Sequence, residues 1–190
     1  YALHYASAGI VSLLLYTYPA LVMVGSAILF KERVTLPKVI ALCLALVGAC
    51  IIIGTEFQSN LIGIILSILA ALFYSSYILI SSKSVKEGMG IQSSAFITLG
   101  AAVIYGTMNL FMGFSPPTQF DGFMAVAMIT MISTVLAFWS FFTGIKKTGP
   151  STASLVSILE PVVTVLASAI ILSEKITSNM LLGGCLVLIS

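Results

Sequence analysis

A carboxylate inside a long apolar run is the residue of this chain with the clearest capacity for chemistry, and it is Glu160, in STASLVSILEPVVTVLASAII. Counted from Ser151 at ~1.5 Å per residue, it stands ~14 Å along a helix, near the middle of a ~30 Å hydrocarbon layer. An acid at that depth either belongs to a substrate or proton pathway, or is protonated and hydrogen-bonded to a neighbouring Ser or Tyr as a packing element. At 100° per residue, Ser154, Ser157, Glu160, Thr164 and Ser168 fall within about a third of the helix circumference, a polar stripe expected to face the protein interior. Pro161 follows directly and lacks an N–H, which is expected to free the Ser157 carbonyl for a ligand, water or another helix.

A second segment answers this one. With Pro19 set against Pro161, Ser12, Ser26, Glu32, Thr35 and Cys43 meet Ser154, Ser168, Glu174, Thr177 and Cys185 at a constant offset of 142 residues. The specific content is Pro-x12-Glu-x2-Thr, which occurs twice, with Pro19 and Pro161 as expected helix kinks. Glu32 and Glu174 close their helices, where the macrodipole disfavours a carboxylate. They are expected to accept N–H groups opening the next helix, capped by Thr35 and Thr177, as a structural hairpin device. Opposite Glu160 the first copy carries Tyr18, within Tyr16-Thr17-Tyr18-Pro19. Phenol and carboxyl at equivalent places imply an asymmetric cavity, with aromatic walls suited to a small amphiphilic solute rather than a bare inorganic ion. Tyr16, Tyr18, Ser157, Thr164 and Glu160 are the candidate pathway residues. Trp139, in another apolar run, is a candidate for cavity lining or simple packing.

The elements that position these residues follow from composition. A chain that is 59% hydrophobic and 7% charged cannot hide its apolar surface in a water-soluble fold, which carries about 25% charged residues. Six complete spans are expected, over 8–30, 36–53, 61–81, 91–114, 120–145 and 151–172. Tyr1–Ser7 has the look of the tail of an earlier helix, and Met180–Ser190 is about half a crossing. Of the eight basic residues, Lys31, Arg33, Lys38, Lys83, Lys86, Lys146 and Lys147 fall in alternate connectors and Lys175 in another. Positively charged short loops stay cytoplasmic, which assigns 31–38, 82–90 and 146–150 to that side. The two copies are then separated by an odd number of crossings and are inverted relatives, the usual construction of secondary transporters. By the repeat length, roughly 80 or more residues are expected ahead of Tyr1. No paired aspartates, nucleophile with base, or HExxH-type site appears within the spans, so an intramembrane enzyme is not expected. Cys43, Cys50, Cys185 and His4 lack metal-ligand spacing, and no metal or cofactor is expected.

The segments LLLYTYPALVMVGSAILFKERVTLPKVIALCLALVGACIIIG and STASLVSILEPVVTVLASAIILSEKITSNMLLGGCLVLIS resemble the ends of the two EamA repeats of the drug/metabolite transporter superfamily. FYSSYILISSK and STVLAFWSFFTGIKKTGPS resemble further helices of that family. The resemblance implies an all-α polytopic membrane protein of inverted five-helix repeats around a central cavity, here six complete helices plus partial ones at both ends. It divides the chain into 1–53, the end of a first repeat, and 61–190, an incomplete second repeat. It further implies export of small organic metabolites such as amino acids or drug-like solutes across the cytoplasmic membrane by alternating access. Proton coupling through Glu160 is an added expectation; the partners are the solute and the lipid bilayer, not nucleic acid. A non-transporting scaffold or receptor, or a facilitator-type pore, is the alternative. The absence of an intramembrane Lys/Arg cluster argues against phosphorylated substrates. The Gly usual before the hairpin Glu is Lys31 in one copy and Ser173 in the other, so a differently built turn is expected.

Overall fold

Proline and glycine divide the apolar runs into helices, and the computed structural model follows that division over residues 1–54, 60–84, 90–113, 119–171, 173 and 176–190. After a single 3₁₀ turn at Ala2–His4, the helices are α1 (Ala8–Leu15), α2 (Tyr18–Phe30), α3 (Leu36–Ile53), α4 (Leu61–Ser84) and α5 (Gly90–Met112). Then come α6 (Phe120–Met128), a π-helix (Ile129–Leu136), α7 (Ala137–Thr148), α8 (Pro150–Val156), a 3₁₀ turn (Ser157–Leu159), α9 (Glu160–Ile171) and α10 (Ser178–Ile189). Among the described residues, six stretches are long and apolar enough to cross a membrane, at 8–30, 36–53, 61–84, 94–111, 120–148 and 150–171, and 178–189 is a shorter apolar helix. The third runs three residues beyond its expected end. Phe114 and Leu172, expected as span ends, lie outside the described residues. Large apolar side chains face outward, as with Phe111 at 91% and Ile170 at 80% exposure, the distribution a lipid solvent favours.

The repeat is visible in the element boundaries. α1 and α8 begin at Ala8 and Pro150, α2 and α9 at Tyr18 and Glu160, and α3 and α10 at Leu36 and Ser178, each pair 142 residues apart. Two of the expected spans are broken near their centres, the first at Tyr16–Thr17 and the last at Ser157–Leu159. In both, a proline in the first turn of the second half (Pro19, Pro161) removes an N–H that a continuous helix would need. The first break is closed by short-range bonds: Thr17 N–H and Thr17 Oγ1 both donate to the Leu14 carbonyl, at 3.2 and 2.7 Å.

Two compact units make up the chain, one of Tyr1–Ile80 with Thr148–Ser190, the other of Ser81–Lys147. In the first, α3 and α10 cross antiparallel with their backbones almost touching. A Cβ on Gly48 would lie 2.6 Å from the Gly183 carbonyl oxygen, and one on Gly183 would lie 2.5 Å from that of Gly48. Only glycine fits at either place. α2 runs alongside α4 in the same direction: Tyr18 meets Tyr74, and a Cβ on Gly25 would strike Leu79. In the second unit, Lys146 Nζ donates to the Ser82 carbonyl at 2.7 Å, bringing a cation to the negative end of α4.

Candidate functional site

The two helix breaks cross, and the crossing collects the polar residues. Tyr16, in the first break, has its hydroxyl in hydrogen-bonding reach of the Glu160 carboxyl, at the head of α9. Tyr18 reaches the Ser157 side chain in the second break. Both tyrosines are buried, Tyr18 almost completely, whereas Glu160 and Thr164 are exposed. A carboxyl thus stands at an open face, backed by two phenols whose rings are fixed by packing. Five of the six pathway candidates, Tyr16, Tyr18, Ser157, Glu160 and Thr164, lie in this one unit.

α4 adds two residues that the sequence reading missed. The Tyr74 ring stands edge-on to Tyr18 with centroids 4.7 Å apart and planes at 77°, and Tyr77, one turn on, stacks on Tyr74 at 6.1 Å and 20°. Tyr74 is also within electrostatic reach of Glu160 and is partly exposed. The signal was available: two tyrosines three residues apart share one face of an apolar helix, in FYSSYIL.

The expected stripe along the last broken helix is only partly realised. Ser154 is fully buried and its hydroxyl donates to the Ser151 carbonyl at 2.9 Å; Ser157 donates to Ala153 at 3.0 Å and Thr164 to the Glu160 carbonyl at 2.9 Å. These hydroxyls return their protons to their own helix, as Ser and Thr do in apolar surroundings, and offer a partner only their lone pairs. The Ser157 carbonyl is not free either. The 3₁₀ turn lets it accept the Glu160 N–H, so Pro161 tightens the helix instead of exposing an acceptor.

Trp139 belongs to the second unit. With Ser94, Ala95, Thr98, Leu99, Ala102 and Val135 it lines a mainly apolar cavity of about 370 Å³. The π-helix ends three residues before it.

The hairpin acid also departs from expectation. Glu32 Oε1 accepts from Lys38 Nζ at 2.7 Å, and the carboxylate lies against Gly149, where a Cβ would sit 3.4 Å from Oε1. It therefore joins its own hairpin to the start of α8 and does not cap α3. Thr35 holds the N-cap position of α3 without a side-chain bond, while Thr177 Oγ1 accepts the Met180 N–H at 3.3 Å at the head of α10. Glu174 lies outside the described residues. One angle is shared by the two turns: Lys31 and Ser173 both adopt φ 55°, the left-handed conformation that glycine takes most easily.

Helices broken near the centres of two apolar spans, repeated at a fixed interval and meeting at an acid and tyrosines, mark a polytopic membrane protein built on a repeat. The chain belongs to the EamA-like transporter family, whose model matches residues 1–54 and 61–190. It is 26% identical over 194 residues to the uncharacterized transporter YcbK of Bacillus subtilis (strain 168), covering 95% of this chain and 61% of that protein. It is 28% identical over 195 residues to an uncharacterized transporter of Archaeoglobus fulgidus, covering 97% and 67%. A crystal structure with 18% sequence identity shares the fold at a TM-score of 0.82, over 98% of this chain and 67% of that one. The chain therefore spans about 61–67% of the length of these relatives.

Proposed function

We propose that the chain forms the working core of a secondary transporter that moves small organic metabolites outward across the cytoplasmic membrane. Transport proceeds by alternating access of the two repeats, 1–53 and 61–190, with Glu160 coupling solute movement to a proton gradient. The observation that carries this reading is the open carboxyl of Glu160 at the crossing of two broken helices, in contact with Tyr16. Half-helix ends at mid-membrane present polar groups to a solute where continuous helices would present none. An exposed acid there can exchange its proton with either aqueous phase as the cavity switches sides. The basic connectors 31–38, 82–90 and 146–150 face the cytoplasm in this scheme. Two contacts support their grouping: Glu32 against Gly149 in one unit, and Lys146 with Ser82 in the other.

Flux in proteoliposomes holding the full-length protein, with a metabolite panel and an imposed pH gradient, tests it. Wild type should accumulate at least one solute against its gradient and show counterflow. Glu160→Gln should lose the response to pH. Transport by that variant with an unchanged pH response removes proton coupling, loss of counterflow alone points to a facilitator, and no flux of any solute leaves a scaffold.

A further inference from the structure

A groove of about 800 Å³ runs between α1 and α3 in the first unit, and Glu160 does not line it. Leu13 and Leu14 of α1 and Leu46, Val47, Cys50 and Ile51 of α3 form its walls. Its polar side chains stand at the two ends: Thr17 in the first helix break, and Asn179 in the first turn of α10, with Gly54 at the close of α3. Gly54 lies eight residues beyond Leu46, ~12 Å along the helix. That is close to the depth of one leaflet, half of a ~30 Å hydrocarbon layer.

A pocket for a polar solute brings a few polar groups together inside it. Here the inner end is nearly apolar, because the Thr17 hydroxyl donates to the Leu14 carbonyl at 2.7 Å and keeps only its lone pairs for a partner. The Asn179 carboxamide, which can both donate and accept, stands at the other end, next to a connector. Among the described residues, those lining the groove include no charged side chain. An apolar trough about one leaflet deep, with a hydrogen-bonding group at its rim, matches an amphiphile standing along the membrane normal.

The groove is continuous with the outward apolar surface, since Val47 on its wall is 52% exposed. The second copy repeats this openness. At the positions matching Leu14, Leu46 and Val47, 142 residues on, Val156, Leu188 and Ile189 are 57, 66 and 75% exposed. Both copies therefore turn this face to the bilayer.

We infer that the groove between α1 and α3 is a phospholipid site. One acyl chain lies along Leu13, Leu14, Leu46 and Val47, and the glycerol ester region is held at Asn179. In the orientation proposed above, the lipid belongs to the outer leaflet. Its chain backs the first helix break, whose tyrosines, Tyr16 and Tyr18, are buried and do not line the groove.

The native cysteines make the test direct. All three are exposed, but Cys50 lines the groove and Cys43 and Cys185 do not. The full-length protein in dodecylmaltoside is alkylated with N-ethylmaleimide at rising dioleoylphosphatidylcholine, and each cysteine is followed by peptide mass spectrometry. Alkylation of Cys50 should slow about tenfold once the lipid reaches roughly ten times its Kd, while Cys43 and Cys185 keep their rates. Native mass spectrometry should show one lipid retained. Val47→Trp, which fills the groove, should remove both the adduct and the protection, and Asn179→Leu should weaken retention severalfold. Equal slowing of all three cysteines, or none, overturns the inference in wild type, with no variant required to fold. Protection that rises with protein concentration in the absence of lipid overturns it in favour of a second copy of the chain. Displacement of the adduct by oleate but not by dioleoylphosphatidylcholine overturns it in favour of a free fatty acid.

Discussion

The two copies of the broken-helix hairpin begin their helices at matching residues and differ in what they put at the break. At the head of α2 is Tyr18, buried and packed on Tyr74; at the head of α9, 142 residues later, is Glu160, an exposed acid. One copy supplies a wall and the other a titratable group. A uniform duplication would bring two phenols or two carboxyls to the crossing, and two carboxyls at close range could not both ionise. Division of labour between equivalent positions gives a site with a direction, built on a frame that has none.

That comparison is most sharply broken by truncating each member. Tyr18→Ala empties a site that is 3% exposed and should cost about 3–5 kcal/mol of stability, seen as a large fall in the thermal midpoint of the full-length protein in detergent. Glu160→Ala should leave that midpoint nearly unchanged while abolishing the pH response of flux. Equal losses of stability would mean that the acid is a packing element like its counterpart.

The position before each broken helix sharpens the contrast further. Ser7 precedes α1 with ordinary extended geometry (φ −62°, ψ 150°), whereas Gly149 precedes α8 at φ 87°, ψ 159°, a region almost closed to other residues. Gly149→Ser should therefore cost about 1–3 kcal/mol, while Ser7→Gly should change stability by a few tenths at most. A matching cost at both would show that the backbone of the two copies is more alike than these angles state.

The smallest effects come from the turns, where the copies agree. Lys31→Gly and Ser173→Gly each relieve a left-handed side-chain residue, and each should stabilise by about 0.5–1 kcal/mol. Ser173→Gly should gain the more, because Lys31 puts a favourable charge at its helix C-terminus. Parallel thermal-melt measurements on the two variants decide the order.

Much of this was legible from residue types. Proline in an apolar run marks where a helix must give up a hydrogen bond, so both breaks followed from Pro19 and Pro161, and the matched spacing foretold that α3 and α10 would begin in register. Glu160 stood out because hydrocarbon makes any acid conspicuous. The partners of these residues were less accessible. Whether a hydroxyl serves a ligand or its own helix depends on rotamer and local pitch, and Ser154, Ser157 and Thr164 all turned back on their helices. Glu32 met Gly149 through a contact more than a hundred residues away in sequence, which no local capping rule anticipates. Tyr74 and Tyr77 were plain as a pair, but only the packing of α4 beside α2 gave them a place at the site. The π-helix has no Pro or Gly within Ile129–Leu136 to announce it.

That π-helix sets a phase. Its wider i→i+5 turns fix the angular position of everything downstream differently from a continuous α-helix, and Trp139 takes its place beside Ser94 and Thr98 from that altered angle. Were residues 129–136 to take i→i+4 pairing at unchanged length, the following segment would turn by about 100°. Trp139 would leave the cavity, and Lys146 would swing away from the Ser82 carbonyl. A single surplus residue, without any special side chain, thus acts as the indexing notch by which the second half of this long helix finds its face.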